Sequence, residues 1–377
     1  NFAFSVGYVG HRATRLHSNF ERLNAIPFNA LRLGNELLNR PLADVNASER
    51  AFAASVGAPL PANNNAVFPG FTGTVGQALR RFPQYRTINN QLESQGQSWY
   101  NSLQVKLDRR FSNGIQFGAA YTFAKLITDA SEDLLGASPI GSLLQNPYDR
   151  ESLRTVSPNS IPHVFVFNYI LELPFGKGRR FLDHGGFVDK VFGGWQLGGI
   201  HRYQSGLPLV IRITRQDAFG PDTTGFVTDI RPNLTGQPIL TTDPRTGDRV
   251  RIINPAAFVA PPSFTNGAPA QRLGDGSVNP AYITFYSDPN RFFGNAPPVI
   301  DQARDLPFLS ENMSLLKKIR FGETVALEFG AEAFNIFNRH RIAQPNSDLS
   351  AGGDFGFSGI DSGYRPREIQ ARVRFIF

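Results

Sequence analysis

Cysteine is absent from all 377 residues. That excludes disulfide staples, thiolate metal centres and a cysteine nucleophile. Methionine occurs once against 33 phenylalanines, so the apolar content favours strands over helical cores. No stretch approaches the roughly 18 consecutive apolar residues of a membrane-crossing helix. A long basic run is missing too. The net charge of +7, from 38 basic and 31 acidic residues, is scattered along the chain. Such scatter argues against a nucleic-acid groove and suits a polar lumen or a surface facing anionic lipid. No initiator methionine or secretory leader opens the sequence, and Asn1 to Val9 already reads as a strand. The expectation is a C-terminal piece of something longer.

Turn formers and alternation fill the space these absences leave. Glycine numbers 36 and proline 27, which makes a chain of short segments. In the last segment Ile369, Ala371, Val373, Phe375 and Phe377 share one face. Glu368, Gln370, Arg372 and Arg374 share the other, with Ile376 the exception. That is period two, the strand period. The same alternation recurs at Leu103-Val105-Leu107, Ile115-Phe117-Ala119-Tyr121-Phe123, Phe165-Phe167-Tyr169-Leu171, Trp195-Leu197, Met313-Leu315-Ile319-Phe321 and Val325-Leu327-Phe329. Lys317 interrupts an otherwise apolar face. About eight strands follow, at 2–9, 99–111, 114–126, 162–173, 192–206, 308–320, 323–337 and 367–377.

The connections between them run long, short, long, medium, long, short, long. Long ones fall at 10–98, 127–161, 207–307 and 338–366; tight ones at Ser112-Asn113-Gly114 and near Gly322. An antiparallel meander with one tight and one elaborated end gives this order. Outer-membrane barrels are built so, with short periplasmic turns and long extracellular loops. Backbone groups in lipid must all pair, which requires closure of the sheet. The expected fold is therefore all-β, a transmembrane antiparallel β-barrel with long extracellular loops, and outer-membrane lipid is its solvent. Trp99, Tyr100, Phe111, Tyr121, Phe123, Trp195 and Tyr203 stand near strand ends as candidate girdle aromatics.

Reactive constellations are not apparent. The histidines, His11, His17, His163, His184, His201 and His340, show no metal-ligand spacing. His11 and His17 read as solvated residues of one loop. Gly176-Lys177-Gly178 lacks the spacing and hydroxyl of a phosphate loop and reads as a basic turn. Asp129, Glu132 and Asp133 cluster without calcium-loop spacing. The expectation is a protein that is not an enzyme and carries no cofactor or metal.

Several strings recur in a familiar order. Ser98-Trp99-Tyr100-Asn101-Ser102-Leu103-Gln104-Val105-Lys106-Leu107 precedes Arg109-Arg110-Phe111-Ser112-Asn113-Gly114 and Tyr121-Thr122-Phe123-Ala124-Lys125. Leu173-Pro174-Phe175-Gly176-Lys177-Gly178-Arg179, Gly193-Gly194-Trp195-Gln196-Leu197 and Gln204-Ser205-Gly206 follow. Then come Asn254-Pro255-Ala256-Ala257-Phe258, Phe293-Gly294-Asn295-Ala296, Glu332-Ala333-Phe334-Asn335-Ile336-Phe337-Asn338 and Pro366-Arg367-Glu368-Ile369-Gln370. Together they resemble the C-terminal barrel region of Oar-like TonB-dependent receptors, which carry a carboxypeptidase-regulatory-like N-terminal domain. Where that family has an aromatic-Asp-Leu-Ser pattern, this chain has Glu311-Asn312-Met313-Ser314.

The resemblance implies that residues 1–377 are the last part of a barrel of the 22-stranded type, whose plug and N-terminal domain lie elsewhere. It implies the outer membrane of a Gram-negative bacterium and a TonB complex reached through the plug region. It also implies that Val373, Phe375 and Phe377 form the assembly signal read by the barrel-insertion machinery. Function then reads as energised uptake of an unidentified nutrient, with an extracellular ligand met by loops and lumen. The alternatives are a surface adhesion or assembly role without transport, and a soluble carbohydrate-binding sandwich. The sandwich predicts polar exposed faces, whereas these strands alternate apolar with charged.

Overall fold

The computed structural model describes the chain apart from residues 19–20, 87, 91–92, 131–143, 215–218, 220–223, 227–228, 242–244, 247–248, 322–323, 341 and 360–364. Eight strands form one antiparallel meander: β1 (Phe2–Ser18), β2 (Glu93–Ser112), β3 (Ile115–Thr128), β4 (His163–Glu172), β5 (Trp195–Gln204), β6 (Phe308–Phe321), β7 (Val325–Phe334) and β8 (Glu368–Ile376). Each pairs with its neighbours in sequence, and the two-residue strand Thr155–Val156 adds to the end of β3. Among the described residues no ladder joins β1 to β8, so the sheet is open.

The expected strands are all present, but β1 and β2 are longer than the alternation suggested. They stay paired from Phe2↔Arg109 to Ser18↔Glu93, so the first long connection begins after Ser18 rather than at residue 10. At about 3.3 Å per residue, β1 and β2 reach roughly 56 and 66 Å, against the 9 to 11 residues that cross a membrane. The outer half, Gly10 to Ser18 against Glu93 to Asn101, is mostly polar and lacks the apolar alternation of the inner half. His11 and His17 therefore lie in a strand, not in a loop. A register shift beside Arg15, at φ 58°, marks a bulge in this stretch.

The tight end is set by local chemistry. Asn113 (φ 52°) and Gly114 (φ 76°) turn β2 into β3 with both residues left-handed, as a two-residue hairpin demands.

The long connections hold the core. The largest apolar cluster joins residues of the β1–β2 connection, including Leu31, Leu37, Phe52 and Val75, to Phe219, Phe226, Phe264, Tyr282 and Phe292 of the β5–β6 connection. A second cluster packs Ile211, Ile253, Phe258 and Ile300 against Phe355 from the β7–β8 connection. A third brings Leu144 and Leu153 against Val299. The long connections, expected as long loops, thus form a folded layer at one end of the sheet.

Short helices build this layer: α1 (Gly34–Asn39), α2 (Ala47–Ser55) and α3 (Val75–Ala78) in the first connection, and α5 (Pro280–Tyr286) in the third. A further helix among the described residues, α4 (Phe187–Phe192), lies in the β4–β5 connection at the opposite end. Asn46 and Glu49 start α2 with a reciprocal capping box. Asn279 caps α5 and Pro280 opens it. Tyr282 and Tyr286, one turn apart, both point into the core; their hydroxyls donate to Leu33 O (2.9 Å) and Phe264 O (2.6 Å). Gly34, at φ 70°, lies so close that a Cβ would strike the Tyr282 hydroxyl and the Tyr286 ring.

Candidate functional site

The register sorts the sheet into two faces. Phe4, Val6 and Tyr8 lie level with Leu107, Val105 and Leu103, and these with Ala119, Tyr121 and Phe123. The row continues through Phe167 and Phe165 to His201 and Tyr203. This apolar face carries a run of ring contacts, with His201 stacked on Tyr169 (5.6 Å) and Tyr203 (6.4 Å). Of the girdle candidates, Trp99, Tyr121, Phe123, Trp195 and Tyr203 fall on it. Tyr100 falls on the other face, one residue out of phase with Trp99. Trp99 is covered by two guanidinium groups, Arg154 at 4.1 Å and Arg12 at 5.6 Å.

The opposite face carries charge. Glu328 stands level with Lys318 and Arg374, and Glu332 with Gln370. Arg372 lies 3.5 Å from Glu328 and 3.7 Å from Glu332, and Gln370 donates to Glu332 at 2.8 Å. Half-exposed pairs of this kind contribute little stability, about 0–1 kcal/mol each. Their significance is that hydrocarbon rejects them, so this face suits a barrel lumen.

At the elaborated end a cavity of about 960 Å³ opens between the exit of β5, the approach to β6 and the chain leaving β7. Leu207, Leu306, Phe308 and Ile342 supply apolar wall; Gln204, Gln344, Arg339 and Arg365 supply amides and cations. Arg304 braces one side by donating to Ser160 O (2.7 Å) and Gly206 O (3.2 Å) while paired with Asp301. Burial acts to raise the Asp301 carboxyl, but Lys125 and Arg304 outweigh it and hold it below the ordinary range. The arrangement suits a ligand with polar groups on an apolar frame.

The other side of the cavity is held by a buried carboxylate. Glu311 is fully buried on the apolar face of β6, and Arg339 Nε donates to both its oxygens at 2.9 Å. That hydrogen bond raises the Arg339 pKa above its usual value. Asn335 and Asn338, both at φ 49°, turn the chain just past β7. The Asn335 side chain accepts from Arg339 N (2.8 Å) and donates to Arg339 O (3.0 Å), while Asn338 accepts from Arg367 N (3.0 Å). Sequence reasoning missed Glu311. Its signal is a carboxylate in phase with the apolar residues, at the position where this chain departs from the resembled pattern.

Other recurrent strings also prove to be folding devices. Asn254 caps the 3-10 turn Pro255–Ala257, and Phe258 packs edge-on against Phe355. Gly294 N and Arg231 N both donate to Gln145 Oε1 at 3.0 Å, and Asn295 Oδ1 accepts from Leu234 N at 2.8 Å.

The remaining candidates divide as follows. Asp129 accepts from Gln97 N at 2.6 Å, while Glu132 and Asp133 lie outside the described residues. No group of potential metal ligands occurs among the described residues. In the Gly176-Lys177-Gly178 turn the backbone N–H groups of Lys177 and Gly178 donate to Asp189 (2.7 Å) and Asp183 (2.6 Å), so carboxylates occupy the anion positions. Lys317, unexplained in the alternation, is buried, donates to Gly193 O and lies over the Trp195 ring at 5.5 Å. Val373 and Phe375 stand level with Phe329 and Leu327 on the apolar face; Phe377 follows the strand end, 93% exposed.

The sequence matches the family described as an outer membrane beta barrel domain over residues 1–370. No curated protein matches it.

Proposed function

Because the chain belongs to the outer membrane beta barrel domain family, we propose that it works as the barrel of a TonB-dependent receptor of the Oar-like kind. It would take up an unidentified nutrient across the outer membrane of a Gram-negative bacterium. The observation that supports this reading best is the cavity of about 960 Å³ at the elaborated end of the sheet, on a chain whose β7 and β8 carry a charged face. A ligand held there would meet apolar wall and polar groups together, and a charged lumen face would give it a path past the hydrocarbon. Energy would enter through a plug and a TonB-contacting segment. The role is binding and passage, with no reaction catalysed and no cofactor.

A second reading has its own support. The long connections carry an apolar core, so the layer presents a shaped surface suited to adhesion or assembly. Growth of a gene deletion and of a TonB deletion, each on a panel of single limiting nutrients, separates the two. Uptake predicts that both strains fail on the same nutrient class. Undiminished growth of the gene deletion on every nutrient, with loss of surface attachment, would establish adhesion instead.

A further inference from the structure

The β4–β5 connection exposes more apolar surface than a turn in water needs. Phe187 is 81% and Phe192 51% exposed; Phe181, Leu182 and Val191 are exposed beside them. Phe187 and Val191 lie one turn apart on the same side of α4. The segment does not dangle. Trp195 Nε1 donates to Val191 O at 3.0 Å, Lys317 Nζ donates to Gly193 O, and Lys190 Nζ lies 5.4 Å over the Phe321 ring. Trp195 and Lys317 stand level on the apolar face, and Phe321 follows Lys317 on it at the strand period. The helix is therefore fixed at the rim of the lipid-facing surface, and its exposed rings continue that surface.

Charge completes the pattern. Asp183 and Asp189 accept backbone N–H groups, and Glu172 pairs with Arg179 at 2.5 Å. Arg180 lies over Phe181 at 5.4 Å, as Lys190 lies over Phe321. Cations above aromatic rings at a hydrocarbon edge are placed as in an interfacial segment, with rings in the acyl boundary and charges among headgroups.

We propose that residues 175–192 form an interfacial foot, seated in the periplasmic leaflet and holding the headgroups of anionic phospholipids through Arg180 and Lys190. The leaflet assignment rests on the reading that the short connections face the periplasm. The partner is a lipid surface, favoured over a periplasmic protein because the exposed rings are continuous with the lipid-facing strands.

The whole protein, reconstituted in mixed phosphatidylcholine and phosphatidylglycerol vesicles, tests this. These 377 residues lack cysteine; with any cysteine elsewhere replaced by serine, Phe187→Cys accepts a single fluorophore, with Leu103→Cys as the lipid-facing and Gly267→Cys as the solvent-facing reference. Lipids brominated in the acyl chain should quench the label at 187 to within about two-fold of that at 103. Iodide access equal to that at 267 would overturn the proposal and leave the surface to a protein partner. In the charge arm, Arg180→Gln with Lys190→Gln should lower preferential quenching by brominated phosphatidylglycerol by about five-fold per cation removed. An unchanged preference would overturn the headgroup assignment. Quenching in these vesicles is independent of sidedness. Reaction of the 187 thiol with an impermeant reagent on whole cells would therefore overturn the leaflet alone.

Discussion

Arg272 joins Glu49 across 223 positions of sequence, with Nη2 at 2.7 Å from Oε2 and Nε at 2.8 Å from Oε1. Glu49 is fully buried, caps α2, and also pairs with Arg40. One carboxylate thus ties the β1–β2 connection to the β5–β6 connection beside the largest core. Glu49→Ala should remove the capping box and the tie to Arg272, while Arg40 keeps Glu36, and cost about 2–3 kcal/mol of the layer's stability. Limited proteolysis within 40–80 and 260–275, with the strands still protected, measures this. A wild-type cleavage rate would show that the pair is dispensable.

The same carboxylate should make the layer acid-sensitive. Burial acts to raise its pKa, but Arg272, the Asn46 backbone and Arg40 outweigh that and hold it below the ordinary carboxylate value. A depressed folded pKa contributes stability that is present above the unfolded value and is lost as pH falls through the folded one. Near-ultraviolet circular dichroism from buried Tyr282 and Tyr286 should therefore decay below the ordinary carboxylate range. Glu49→Gln should weaken that decay. An identical acid titration in the variant would assign the transition to other groups, such as Asp301 and Asp348, which are also lowered.

Glu311 and Arg339 make a second tie, between β6 and the chain leaving β7. Arg339→Ala leaves Glu311 buried without its partner and should cost about 3 kcal/mol or more. Cleavage within 335–367 should rise accordingly. Glu311→Gln with Arg339→Met should recover much of the loss, since no lone charge is then buried. A double variant as labile as the single one would mean that Arg339 acts through packing alone.

The sheet was legible because lipid imposes a period-two pattern on every strand that crosses it. Gly10–Ser18 of β1 and Glu93–Ser98 of β2 escaped notice because they are paired but carry no apolar alternation. The folded layer was hidden more deeply. Its cores draw on residues as distant as Leu37 and Tyr282, and α1, α3 and α5 are too short to show helical periodicity. The two ties were invisible because nothing in the sequence pattern marks Glu49, and Glu311 shows only as a departure from the resembled strand. Only the third dimension supplies Arg272 and Arg339.

Sidedness is open to a direct measurement. The tight β2–β3 turn and the folded layer lie at opposite ends of the strands, and loop length assigns the layer to the cell exterior. In the cysteine-free chain, Gly267→Cys should react with an impermeant thiol reagent on intact cells, and Arg110→Cys only after lysis. Both residues are exposed. Labelling at 110 but not at 267 would invert the orientation.

Phe377 offers the last test, on assembly. Val373 and Phe375 share the apolar face of β8, and the Phe375 and Phe377 rings lie 5.9 Å apart. The resemblance noted in the sequence implies that these three residues are a segment read by the barrel-insertion machinery, and that expectation is what the test addresses. Plain lipid contact would place aromatics here as well, so loss of area must be separated from loss of recognition. Phe321 supplies the control: it is an exposed phenylalanine on the apolar face, at the end of β6. Phe321 is 47% and Phe377 93% exposed to solvent, so removing Phe321 forfeits at least as much packing within the chain and is the stricter control for lost contact. If recognition governs, deleting Phe377 should lower the outer-membrane level several-fold while Phe321→Ala inserts normally. Equal levels for the two variants would reduce Phe377 to a lipid contact.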